Sequence, residues 1–213
     1  MHAIYNYKSN NMSSDLHTIL RAVQHLMLCA VAIALFSSLL FVDVIWLHNF
    51  VKEISLTEFA QEGLLAATAL VFFQLARRYP SWRYGFMLLG GFLTTMLIRE
   101  LDGLFDLIKH GCWVYVALAV TLVCLAAAAT HLRSTLAGLA CFIRARSYGM
   151  MLCGLLCILL FSRLMGMHVI WESVLLDGYD RTAKNLGEEG VELFGYTLCF
   201  LASLQFMRGL PRA

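Results

Sequence analysis

The residues best suited to chemistry in this chain are seven carboxylates: Glu58, Glu62, Glu100, Asp102, Asp106, Glu188 and Glu192. Glu58 and Glu62 are four apart, as are Glu188 and Glu192, and Asp102, Asp106 and His110 repeat the interval. On a helix that interval places side chains on one face. Carboxylates gathered with a histidine suit a hard or borderline divalent ion such as Ca²⁺, Mn²⁺, Fe²⁺ or Zn²⁺. The same groups, crowded away from water, cannot all remain ionised, so they hold protons or a cation. The cations available within the same stretches are Arg99 and Arg163, too few to balance seven acids. The expected metal ligands are therefore Glu58, Glu62, Glu100, Asp102, Asp106, His110, Glu188 and Glu192. Arg99, His168 and Asp43 stand in support.

Familiar catalytic signatures are missing. There is no Gly-x-Ser-x-Gly, no His-Glu-x-x-His and no glycine-rich phosphate loop. Di-iron bundles use Glu-x-x-His, whereas this chain has Asp106 and His110 four apart. The seven cysteines lie mostly in apolar runs without a CxxC, and read as small packed hydrophobes.

The elements that position these acids follow from composition. The chain has 213 residues, 60% of them hydrophobic and 14% charged, with mean hydropathy +0.73. Soluble domains carry roughly 25% charged residues. Only 2 prolines interrupt long apolar runs. This pattern predicts an all-α polytopic membrane protein. Net charge is only +2, which gives no reason to expect a nucleic-acid partner. Six transmembrane helices are expected, at 25–47, 56–77, 84–108, 112–131, 149–171 and 187–207. Pro80 separates the second from the third. The stretch 134–147 reads as a short interfacial helix.

Basic residues fix the orientation. Arg21, Arg77, Arg78, Arg83, Arg133, Arg144, Arg146 and Arg208 all fall on one side, together with Lys8 and Arg212. That side is expected to be the cytoplasm of a bacterial-type inner membrane, with both termini there. Every acid except Asp15 maps to the opposite half.

Helices 1–2 and 5–6 look duplicated. `LFSSLLFVDVIW` at 35–46 returns as `LFSRLMGMHVIW` at 160–171, with seven of twelve positions identical and Asp43 replaced by His168. Beyond it, Glu58 aligns with Glu188, Glu62 with Glu192, Gln74 with Gln205, Arg77 with Arg208 and Pro80 with Pro211. Four helices separate the two starts, so the repeat is expected to be parallel. The chain then divides into a cytoplasmic segment 1–24, repeat A 25–83, a central helix pair with the interfacial segment 84–148, and repeat B 149–213.

The apolar part of the third helix, 85–98, covers only ~21 Å at 1.5 Å per residue, too short to span. Arg99, Glu100 and Asp102 must then enter the membrane, where ionisable groups face protein, water or an ion. The first expectation is a cation-handling or transport protein of the lipid bilayer, taking a metal ion, a proton-linked cation or a cationic substrate. An intramembrane metal-dependent enzyme acting on a lipid or lipid-linked substrate at the outer leaflet is the alternative. A third is a non-catalytic subunit of a homo-oligomer or membrane complex. In that case an Arg–Glu–Asp network merely locks helices together.

Overall fold

The computed structural model describes residues 12–48 and 55–211. Lys8, the loop that holds Lys52 and Glu53, and Arg212 lie outside the described residues. The fold is all-helical, 89% helix, with no strand among the described residues. Helix α1 spans Met12–Phe41 and runs on into a wide π-turn, Val42–Trp46. Then come α2 (Leu56–Arg78), α3 (Arg83–Glu100), α4 (Asp102–Asp106), α5 (Trp113–Thr130) and α6 (Leu132–Ile143). Helix α7 (Tyr148–Leu156) passes through a π-turn, Cys157–Phe161, into α8 (Ser162–Met165). Helices α9 (His168–Leu175) and α10 (Arg181–Gly209) complete the chain.

Among the described residues, five segments are long and apolar enough to cross a membrane: Ser14–Trp46, Leu56–Arg78, Trp113–Thr130, Tyr148–Met165 and Arg181–Gly209. The expected span at 84–108 is not among them. It stops at Glu100, with Arg99 and Glu100 in its last turn, and Leu101 leaves helical geometry (φ −83°, ψ 16°) before α4 begins. The expected span at 149–171 also breaks. Gly166 ends α8, and extended Met167 (φ −74°, ψ 119°) separates it from α9. At the other ends, α1 and α10 start earlier than expected. Asp180 caps α10 by accepting from the Thr182 N–H at 3.0 Å, so that helix gains six residues before position 187. Pro80 opens a short 3₁₀ turn at the expected break, and a separate 12-residue helix, α6, overlaps the expected stretch 134–147.

The start of α2 has two caps. Ser55 accepts from the Glu58 N–H at 3.1 Å. Asp43, fully buried, reaches across from the π-turn of α1 and accepts from the Leu56 N–H (3.0 Å), the Thr57 N–H (2.8 Å) and the Thr57 hydroxyl (2.6 Å). Two of the amides that a helix start leaves unmet, and one side-chain hydroxyl, are thus used by one carboxylate.

Packing arranges α2 and α10 side by side and in the same direction. Gln61, near the start of α2, donates to Glu189 near the start of α10, and the Tyr79 hydroxyl beyond α2 donates to the Pro211 carbonyl beyond α10. Helix α3 returns antiparallel against α2 and also packs against α5 and α6. Helix α7 crosses α10 where both carry glycine: a Cβ at Gly154 would lie 2.7 Å from the Gly195 carbonyl oxygen. Small residues let membrane-type helices approach this closely. The basic end holds an aromatic core. Phe142 of α6 meets Phe72 of α2 and Phe206 of α10 at centroid distances of 5.4 and 5.0 Å, and Phe86 of α3 closes it. Among the described residues, helix α1 packs chiefly against α10 and α2 and leaves most of its apolar surface uncovered.

Candidate functional site

The acidic ends of α2, α3 and α10 meet with α8 beside them. Helix α10 carries Lys184, Glu188, Glu192 and Tyr196 at intervals of four, one stripe along the helix. Glu189 lies one residue off that stripe, towards α2. From α8, Arg163 reaches the Glu188 carboxylate at 3.3 Å and pairs with Glu192. Lys184 holds the other Glu188 oxygen at 2.9 Å. At the end of α3, Arg99 pairs with Glu100, and the Tyr196 hydroxyl donates to Glu100 Oε1 at 2.8 Å. From α2, Gln61 Nε2 donates both to the Glu189 carbonyl (3.0 Å) and to its carboxylate (2.9 Å). Its neighbour Glu62 interacts electrostatically with Glu100, as does Glu189.

Helices α2 and α10 therefore bring Glu62 and Glu189 into electrostatic range of Glu100 at the end of α3. Glu188 and Glu192 lie alongside. Against these five carboxylates stand Lys184, Arg99 and Arg163, so full ionisation leaves two negative charges in excess. Gln61 (1% exposed) and Glu192 (3%) are buried, while Glu62, Glu100 and Glu189 are half-buried. Repulsion between them is accordingly stronger than on an open surface.

The structure divides the residues singled out by sequence. Glu62, Glu100, Glu188, Glu192 and Arg99 come together. Glu58 sits half-buried in the first turn of α2, its amide bound to Ser55. Asp102, Asp106 and His110 are exposed beyond the break at Leu101. Asp106 accepts from the Gly111 N–H at 2.9 Å and pairs with His110 Nδ1 at 2.7 Å, closing the turn into α5. Those contacts, led by the Gly111 amide, hold the Asp106 carboxyl below its ordinary value. Asp43 serves as the α2 cap. Its counterpart His168 is exposed and meets the Tyr179 hydroxyl at 2.8 Å. Among the described residues, no three His, Cys, Asp or Glu side chains are grouped to hold a metal ion.

Sequence reasoning passed over Gln61, Glu189, Lys184 and Tyr196. Two signals for them exist. Tyr196 carries a polar group inside an apolar run, where an unsatisfied polar group is unfavourable. Lys184 continues the four-residue stripe of Glu188 and Glu192, but only if the helix starts before 187.

Fold and site define an all-helical protein with five candidate membrane spans and a carboxylate cluster at one end of the bundle. Comparison with family models, with characterised proteins and with solved structures finds no match.

Proposed function

We propose that this is a multi-pass inner-membrane protein whose carboxylate cluster binds a proton or a small cation presented from the outer side. The observation that carries the reading is the charge imbalance at Glu62, Glu100 and Glu189, contributed by three different helices. Crowded carboxylates of this kind shed charge by taking up a proton or by sharing a cation. With no three metal-type side chains grouped among the described residues, a proton or a singly charged cation suits the cluster better than a divalent ion. Helix α3 serves as a sixth span, its short apolar stretch completed by Arg99 and Glu100 turned to protein partners. Both termini lie on the side rich in arginine.

The parallel repeat belongs to the same reading. Under a two-fold axis along the helices, equivalent positions of α2 and α10 pack at the same height. Gln61 against Glu189 and Tyr79 against Pro211 are pairs near that register, and they support it.

Infrared difference spectra of the reconstituted protein, between about pH 5 and about pH 9, test the proposal. A protonated-carboxyl band that titrates in the wild type and is lost in Glu62→Gln is the expected result. No such band, together with no cation-induced change in the carboxylate bands, sinks the reading. Elemental analysis of the wild type against Glu62→Gln combined with Glu192→Gln tests the divalent-ion alternative.

A further inference from the structure

The opposite, basic end of the bundle holds a cavity of about 380 Å³ between the α6–α7 turn and the last turn of α10. Its walls include Arg144, Arg146, Ser147, Gln205, Phe206 and Leu210, and no acidic residue lines it. Arg144 and Arg146 are exposed and two residues apart. Among the described residues, neither is within ion-pair distance of a carboxylate.

Ser147 differs from an ordinary surface serine. It is 1% exposed, and its hydroxyl has no hydrogen-bond partner. It occupies the N-cap position of α7 yet makes no capping bond. Buried hydroxyls are normally paired, so this one is short of an acceptor or donor that the fold does not provide. The start of α7 adds the positive end of a helix, and Gly149 in its first turn has open space around it. Phe206 and Leu210 supply an apolar wall next to the charges.

We propose that this cavity is a binding site for a phosphate-bearing anion, held by Arg144 and Arg146 and accepting a hydrogen bond from the Ser147 hydroxyl. Guanidinium groups recognise phosphate oxygens with paired donors. The phosphate comes either from the headgroup of an anionic phospholipid or from a free phosphate compound. Basic pockets between membrane helices suit lipid headgroups, and the Phe206–Leu210 wall suits the first carbons of an acyl chain. The site is independent of the carboxylate cluster at the other end.

Binding of dioctanoyl-phosphatidylglycerol, dioctanoyl-phosphatidylcholine and inorganic phosphate to the full-length protein in an uncharged detergent tests the proposal. At about fivefold per arginine, Arg144→Gln with Arg146→Gln weakens phosphatidylglycerol binding by roughly 30-fold. Arg144→Lys with Arg146→Lys keeps the charge without the paired donors and loses less affinity than the glutamine variant, which separates loss of charge from loss of fold. Ser147→Ala weakens binding several-fold with an unchanged unfolding midpoint. Phosphatidylglycerol binding well above inorganic phosphate identifies a lipid as the source; equal affinities identify a free phosphate compound. Unchanged affinity in the double glutamine variant overturns the proposal. So does phosphatidylcholine binding as tightly as phosphatidylglycerol, or an absence of binding in every arm.

Discussion

Replacing Arg163 by glutamine removes the cation that joins α8 to α10. Its partner Glu192 is 3% exposed, whereas the Arg163 side chain is 43% exposed. Deleting one partner of a fully buried pair costs about 3–5 kcal/mol, because the remaining charge is stranded. Half-exposure of the arginine admits water and screens the pair, which lowers the expected loss to roughly 2 kcal/mol. That corresponds to about a 30-fold shift of the folding equilibrium. Glu192→Gln alone costs less, about 0.5–1 kcal/mol, since Arg163 keeps Glu188 and some solvent. The double variant then recovers about 1 kcal/mol relative to the sum of the single changes. Reversible unfolding in mixed micelles, followed by tryptophan fluorescence, measures all four species. Strict additivity, or an Arg163→Gln variant as stable as the wild type, would show that the pair is not holding α8 against α10.

Three further outcomes are expected. Asp43→Ala leaves the Leu56 and Thr57 amides and the Thr57 hydroxyl without their acceptor and costs about 2 kcal/mol, at the upper end for a helix cap; Thr57→Val, which removes one of the three bonds, costs less in the same assay. Gly154→Val drives a side chain into the Gly195 carbonyl and lowers stability by about 1–3 kcal/mol, while Gly63→Ala, with nothing within 4 Å of its Cβ position, is neutral or stabilising in the same melt. The Asp106 carboxyl lies below its ordinary value of 3.8 in the folded state, so its contribution is complete above that value and is lost as pH falls through the lower folded one. Hydrogen exchange at the Gly111 amide should therefore speed up only in strong acid, and Asp106→Asn should show the fast rate at neutral pH.

Helix identity was legible where composition and punctuation agree. Trp113–Thr130 nearly coincides with the expected span at 112–131, because no charged residue, Gly or Pro interrupts it. Pro80 marked a real break for a local reason, the missing amide. The break at Leu101 has no such marker. It arises where Arg99 and Glu100 turn to each other and to Tyr196, a contact with a residue 96 positions away. Helix α10 starts six residues before the expected 187 because Asp180 caps it, and no hydrophobic periodicity marks that cap. The earlier start bears on the site. With the helix starting at Arg181, Glu188 and Glu189 lie two turns inside it, beyond the first-turn region where the helix dipole would account for them. The pairing of Gln61 with Glu189 depends on the packing of α2 on α10, and no spacing within either segment announces it.

Under the proposed repeat, the two segments differ most informatively in their cations. Where the second segment has Arg163, the first has Ser38, whose hydroxyl donates to the Leu35 carbonyl of its own helix at 2.6 Å. Where the second has Lys184, the first has Ile54. In that alignment both positive partners of Glu188 and Glu192 belong to the second segment alone. Among the described residues, Glu62 has no cation within ion-pair distance, although its counterpart Glu192 has Arg163. The change from Asp43 to His168 belongs to the same divergence. Asp43 ties the first copy's helices together by a direct cap, whereas the second copy breaks at Met167 and recruits the local Asp180 cap instead. That earlier helix start is what carries Lys184 to Glu188. On the proposed function, cations beside Glu188 and Glu192 leave the unbalanced charge with Glu62, Glu100 and Glu189. That reading predicts that Glu62→Gln alters proton or cation uptake more than Glu192→Gln does.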